Sequence, residues 1–411
     1  MPEPVGYRGL LALAVPRRLA LASAPADLAD WLDYAAIIAL LVFGWGEGPF
    51  VLALFALALT LPYVLIGPLL AVLVDRVPLR VTLVLSNLGR ALTTLLLVFA
   101  PHTALVLVLV FLRASIDSAF TPARQAAIQA STPKNLLGSA NGLHHAINQT
   151  SKIAGPALGG LLLAFLSPQM VFGLNSVLSL IAALLLVNLQ LPARAKADAG
   201  TTPPFWSELT AGIAEFRRNT LMLTALIFSA VAYFAFFLYD ALIALLTAGF
   251  GLDATAFGFG IAASGAGGLV AALLAGRLSA AKSLIAMMSA AAFSGITTMA
   301  IASAALAGAP VAALVFYLAM ALMGGATAFM LVPYRGIIQR ETPPDRIGRV
   351  HAAGEAVIMS IMLSAPFIGS LIARLWGTGM AFMCGGVLLV VLALVTLVLT
   401  RGGNIKSLGA S

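Results

Sequence analysis

One passage of this chain is written twice, and that duplication limits the folds open to it more than any other feature. Residues 122–160 read PARQAAIQASTPKNLLGSANGLHHAINQTSKIAGPALGG, and from Pro333 the chain reads PYRGIIQRETPPDRIGRVHAAGEAVIMSIMLSAPFIGS. At an offset of 210 residues, Ile128, Gln129, Thr132, Pro133, Gly138, Pro156 and Gly159 fall on Ile338, Gln339, Thr342, Pro343, Gly348, Pro366 and Gly369. A period this long marks a duplicated half rather than a short solenoid repeat. Each copy joins a polar, arginine-bearing loop to an apolar stretch, so the thing duplicated is a set of membrane spans.

The solvent of those halves follows from charge. Of 411 residues only 9% are charged and 61% are hydrophobic, against about a quarter charged in an ordinary soluble domain. Apolar runs of roughly the 20 residues needed to cross a bilayer recur along the chain. Lipid offers backbone groups no hydrogen-bonding partners, so each run is expected to be a helix. The expected spans are 32–45, 50–73, 81–100, 103–120, 140–165 and 171–191, then 221–250, 256–278, 284–307, 311–332, 348–375 and 380–400. The sequence therefore predicts an all-α integral membrane protein of twelve helices in two six-helix halves.

The net charge of +8 invites a nucleic-acid reading, and the placement of the charge argues against it. The even-numbered loops and the termini hold 19 of the 23 basic residues, including Arg76, Arg80, Arg124, Arg217, Arg335 and Arg346, while GWGEG, APHT, LSPQM and ALAGAP hold none. This positive-inside bias puts both termini in the cytoplasm. The expected organisation is a cytoplasmic N-terminal segment over 1–29, a helical half over 30–191, a linker with a surface helix over 192–219, a second half over 220–400 and a cytoplasmic tail over 401–411. Cys384, the single cysteine, excludes an internal disulfide.

Three signatures give the chain a resemblance to the major facilitator superfamily over essentially its full length. The loop after the second span is similar to the family's cytoplasmic latch through Asp75, Arg76 and Arg80, with departures at Ala71, Pro78 and Leu79. In the fourth span Leu109 and Arg113 resemble a motif whose arginine serves proton transfer, and Asp117 replaces the glycine expected there. In the fifth span Gly142, Gly155, Pro156, Gly159 and Gly160 match the pattern that marks exporters. The resemblance is strongest to the branch of drug, macrolide and siderophore exporters. It implies a bacterial cytoplasmic-membrane antiporter that moves a small molecule against protons by alternating access, as a monomer. A lysophospholipid flippase or a proton-coupled importer of the same fold remains an alternative, as does a sensor that moves nothing.

Physics selects candidate residues independently, because an ionisable group inside the membrane costs roughly 2.5–3.5 kcal/mol and is kept where it faces a cavity or a partner. Asp33, Asp117 and Glu355 are the proton-coupling candidates, with Arg113 one helical turn from Asp117. Tyr233, Phe236, Phe237 and Asp240 share one helical face, either an aromatic wall suited to a lipophilic cation or a lipid-facing surface. Asn148 and Lys152 on the fifth span, and Met359 and Met362 on the eleventh, are further cavity candidates, Lys152 as an ion-pair partner for Asp33 or Glu355. No GxxxxGK[ST], HExxH or GxSxG occurs, so neither nucleotide binding nor catalysis is expected, and no metal or cofactor is called for.

Overall fold

The computed structural model describes residues 6–67, 70, 77–191, 205–275, 280–343 and 346–402. Its regular structure there is helical. After a short N-terminal helix, Gly6–Ala12, the membrane helices are α1 (Ala14–Leu32, continued by Tyr34–Ala39 and a π-helical turn Leu40–Gly44), α2 (Pro49–Leu65), α3 (Leu79–Leu97), α4 (Thr103–Ser131), α5 (Leu137–Leu163) and α6 (Pro168–Val187). A connecting helix, Phe205–Arg218, precedes α7 (Thr220–Phe237, then a 3-10 turn Asp240–Leu242 and Ile243–Gly249). The chain ends with α8 (Ala254–Ala275), α9 (Ala280–Leu306), α10 (Ala313–Glu341), α11 (Ile347–Trp376) and α12 (Thr378–Gly402). Eight of these, α4 and α6 to α12, are long and apolar enough to cross a membrane. The four others that make up the twelve are α1, α3 and α5, which carry charged and polar side chains, and α2, described over only 17 residues.

The helix ends follow from local chemistry. His102 and Ser167 accept hydrogen bonds from Leu105 N and Met170 N at the starts of α4 and α6, and Asn219 Oδ1 accepts from Leu221 N and Met222 N at the start of α7. The duplicated Thr-Pro ends α4 and α10 in the same way: Thr132 (φ −114, ψ 128) and Thr342 (φ −105, ψ 127) are both extended, the conformation that a following proline enforces. Gly377, at φ 89, makes the tight turn from α11 into α12 in a left-handed conformation that a side chain would strain.

The helices form two compact units, Met1–Trp45 with Leu54–Ala197, and Gly46–Ala53 with Asp198–Ser411. In the first, α1 packs on α5 and α6, and α3 on α4 and α6; in the second, α7 packs on α11 and α12, and α9 on α10 and α12. These four pairings correspond between the units, so much of the packing is duplicated with the sequence, although α8 packs on α10 far more extensively than the described part of α2 does on α4. Leu19, Ala22, Leu83, Phe120, Ala127 and Leu186 belong to the core of the first unit, and Phe216, Phe228, Met287, Met330, Ile337 and Leu389 to that of the second.

The passages expected as polar loops after the fourth and tenth spans are helical instead, α4 running on to Ser131 and α10 to Glu341 with Arg124 and Arg335 inside them. Two further elements differ from expectation. The first helix begins at Ala14 rather than near Leu32, so most of the supposed leader belongs to it, with Leu19, Ala22, Ala26 and Asp27 buried. The acids Asp27, Asp30 and Asp33 are tolerated within it because arginines from other helices neutralise them. The connecting helix does not lie free on a surface. A Cβ at Gly212 would collide with the Arg349 carbonyl of α11, Phe216 is buried, and Glu215 accepts from Arg346 Nη1 at 2.9 Å, so the helix is docked on α11.

Candidate functional site

α1 presents Asp27, Asp30 and Asp33 at three-residue intervals, spanning about 9 Å along the helix axis, and each carboxylate meets an arginine from a different turn of the unit. Arg124 of α4 donates to Asp27 Oδ1 at 2.5 Å, Arg90 of α3 to Asp30, and Arg113 of α4 to Asp33. Two of these arginines also donate to α1 carbonyls, Arg90 to Ala26 O at 2.5 Å and Arg113 to Asp30 O at 3.1 Å. The pairs are deeply buried: the Asp33 side chain is 0% exposed and that of Arg90 2%. The guanidinium carbons of Arg90 and Arg124 lie 5.3 and 5.1 Å from the Phe120 ring centroid, within cation–π range.

Asp33 stands where α1 breaks. It ends the first helical segment at φ −87, ψ −4 and makes no side-chain capping bond, so its carboxylate is left for Arg113. The break is pressed from the other side by the glycines of α5. A Cβ on Gly155 would sit 2.5 Å from Trp31 Cβ, and one on Gly159 would fall on the Leu32 carbonyl oxygen. Small residues let two membrane helices approach backbone to backbone. The second unit repeats the device at Gly369, whose Cβ would fall on the Leu238 carbonyl where α7 breaks. Gly155 and Gly159 of the α5 pattern are thus a seat for the broken helix, while Gly142 lies against the Tyr7 hydroxyl of the N-terminal helix and Gly160 is buried.

Asp117 does not pair with Arg113, as spacing along one helix suggested. It lies 3.1 Å from Arg90 Nη1, and its other oxygen accepts from the Tyr63 hydroxyl of α2. Asp27, Asp30, Arg124 and Tyr63 were missing from the sequence-derived set, since nothing in one sequence tells that acids of α1 face arginines some 60 to 100 positions away. The repeat at Arg124 and Arg335 was the one available hint.

In the second unit Glu355 lies 3.6 Å from Arg335 Nη2 and 3.8 Å from His351 Nε2, with 32% of its side chain exposed. The Tyr334 hydroxyl packs against α11 beside it, at 2.7 Å from where a Gly354 Cβ would be. Tyr233 and Phe237 stack at 6.0 Å, and a small cleft between α7 and α10 is lined by Ser229, Tyr233, Phe236, Thr327 and Met330. α7 stops being regular at Phe237 and Asp240 opens a 3-10 turn, so helical spacing no longer relates it to Tyr233. Asn148 is half-buried and Lys152 exposed on α5, and Asp33 takes Arg113 rather than Lys152. Arg80 is exposed at the start of α3. Asp75 and Arg76, and the side chains of Met359 and Met362, lie outside the described residues.

The profile of the Major Facilitator Superfamily matches residues 19–362. Among curated proteins, the uncharacterised transporter YfiS of Bacillus subtilis (strain 168) is 28% identical over 408 residues, covering 97% of this chain and 95% of its own length. Macrolide efflux protein A of Streptococcus pyogenes is 24% identical over 353 residues, 84% of this chain and 86% of that protein. Among solved structures, a POT family transporter in complex with 5-aminolevulinic acid aligns with a TM-score of 0.71 at 13% identity, over 98% of each chain. The nucleoside transporter NupG aligns at 0.66 and 14%, over 95% of this chain and 100% of its own.

Proposed function

The chain belongs to the Major Facilitator Superfamily, a multi-pass membrane transporter of small molecules, and we propose that it is a proton-driven exporter of lipophilic or amphiphilic compounds. It works in the bacterial cytoplasmic membrane with both termini inside, as a monomer, by alternating access of its two units. The observation that carries the reading is the sealed Asp33–Arg113 pair at the break of α1, seated under Gly155 and Gly159. A carboxylate held by an arginine in low dielectric is stable only while both stay paired, so protonating it releases the arginine and loosens the helix contact. Export rather than import is supported by the α5 glycine pattern and by the relatives named for macrolide efflux. Glu355 with Arg335 supplies an acid of the second unit, on α11, the counterpart of α5 rather than of α1, and the aromatic face of α7 at Tyr233 and Phe237 supplies surface for an apolar substrate. Asp75, Arg76 and Arg80 serve as the latch. One proton crossing with the membrane potential gains about 2.3 kcal/mol per 100 mV, enough for useful accumulation ratios.

The test is accumulation of ethidium and of a fluorescent macrolide in efflux-deficient bacteria expressing the chain, with and without a protonophore, beside Asp33→Asn and Glu355→Gln. Export predicts lowered accumulation that the protonophore and either variant abolish. Unchanged accumulation by a membrane-inserted protein contradicts it, and lysolipid movement is then measured in its place.

A further inference from the structure

The connecting helix reaches three spans of the second unit at once. Glu215 accepts from Arg346 Nη1 at 2.9 Å, Gly212 lies against the Arg349 carbonyl and Ala353, and the Phe216 ring is 3.4 Å from where a Gly354 Cβ would be. These α11 positions recur at three- to four-residue intervals, so one face of α11 is held over two turns. Just past the end of the connecting helix, Asn219 caps α7 through Oδ1 and donates from Nδ2 to Glu341 Oε2, at the last residue of α10, at 3.0 Å. α10 and α11 are therefore fixed to each other through this helix as well as through the loop between them.

Glu355 follows Gly354 directly. Its pair with Arg335 of α10 is 3.6 Å long and the two side chains are 32% and 20% exposed. A pair beyond hydrogen-bond range and partly open does not hold two helices in register by its own attraction. The packing at Gly354 does: the hydroxyl of Tyr334, the residue before Arg335, and the ring of Phe216 both close on it. Phe216 is 1% exposed and shares its core with Tyr334, Val350 and Ala353. His351 on α11 itself, 3.8 Å away, and Tyr233 of α7, which feels the charges of both Glu355 and Arg335, complete the surroundings. The first unit repeats the arrangement: the helix ahead of its first span, Gly6–Ala12, sets the Tyr7 hydroxyl 3.1 Å from where a Gly142 Cβ would be, near the start of α5 as Gly354 is near that of α11.

We propose that Phe216 is a positioning residue through which the connecting helix sets the spacing of the Arg335–Glu355 pair. This rests on the place given to Glu355 above and adds what holds it there. The connecting helix is then a working part of the second unit rather than a tether, and displacing it moves the α11 face that carries Glu355 relative to Arg335.

The test reads that spacing without needing transport. In the full chain in lipid vesicles, carrying Cys384→Ser to remove its single cysteine, Arg335→Cys and Glu355→Cys are joined by a short thiol-to-thiol crosslinker. Phe216→Ala should lower the yield several-fold, Phe216→Leu should restore most of it, and Glu215→Gln, which leaves the core intact, should lower it to a smaller extent. Phe228→Ala removes a ring of the same core that is not among the groups closing on Gly354, and it should leave the yield unchanged. In the chain that keeps Arg335 and Glu355, protonophore-sensitive efflux should fall in Phe216→Ala and return in Phe216→Leu. A yield unmoved by Phe216→Ala and Glu215→Gln, or moved as much by Phe228→Ala, overturns the assignment; should Phe216→Ala not insert, Glu215→Gln decides. A yield that responds as stated, with no protonophore-sensitive efflux by the wild type, would leave the positioning role standing and remove the export reading instead.

Discussion

Gly159→Ala is the sharpest probe of how α5 seats the broken first helix. An ideal Cβ at Gly159 falls on the Leu32 carbonyl oxygen, and both partners are backbone, so no side-chain rotation relieves the clash. α5 must back away from α1. Overpacking of this kind costs roughly 1–3 kcal/mol, while alanine in place of glycine in a helix returns at most about 1 kcal/mol. At the upper end of that range, which a backbone-to-backbone clash with no rotamer to relieve it calls for, the net loss is about 2 kcal/mol. At roughly 2–4 °C per kcal/mol for units of this size, the melting temperature should fall by about 4–8 °C. Gly369→Ala should behave alike against Leu238, whereas Gly173→Ala in α6, where a Cβ meets nothing within 4 Å, should melt at or above the wild type. The assay is the temperature at which the purified chain in detergent loses its monodisperse elution. A Gly159→Ala protein as stable as Gly173→Ala would refute the account of the glycine pattern.

Other substitutions test the charges and the docked helix. Asp33→Asn strands the buried Arg113 guanidinium and should cost about 3–5 kcal/mol; adding Arg113→Gln should recover more than half of the lost melting temperature. Glu355→Gln should cost less than about 1 kcal/mol, since its pair with Arg335 is long and partly open, yet it should abolish protonophore-sensitive efflux, so that stability and transport separate at that position. Gly212→Val should drive the connecting helix off Arg349 and Ala353, read as several-fold faster proteolysis within residues 192–219 with the melting temperature of the remainder little changed.

Much of this architecture was legible in the sequence because lipid enforces a simple rule. A run such as Pro168–Val187 has no solution in a bilayer but a helix, whereas the arginine-bearing stretches before Thr132 and Thr342 were read as loop because their polarity hides that α4 and α10 run on to the Thr-Pro stops. α1 was placed too late for the converse reason: acids such as Asp27 and Asp30 look foreign to a membrane until Arg124 and Arg90 are placed beside them. Such partners come from helices distant in sequence, and one chain shows only the spacing within a helix. That spacing put Asp117 with Arg113, four positions apart, while the fold gives Arg113 to Asp33 and Asp117 to Arg90 and Tyr63. The seven-residue relation of Asp240 to Tyr233 presumes an unbroken helix, and α7 breaks in between. The glycines of α5 were recognised as a pattern, but their reason, a carbonyl of α1 lying against Gly159, belongs to packing and not to spacing.

The most direct measurement is made on the purified chain in proteoliposomes carrying an imposed pH gradient, following ethidium and a fluorescent macrolide as the gradient is set and then collapsed. The account predicts movement of at least one probe toward the acidic compartment while the gradient lasts, with none after collapse and none in Asp33→Asn. Transport that ignores the gradient, or that survives unchanged in Asp33→Asn, would contradict it.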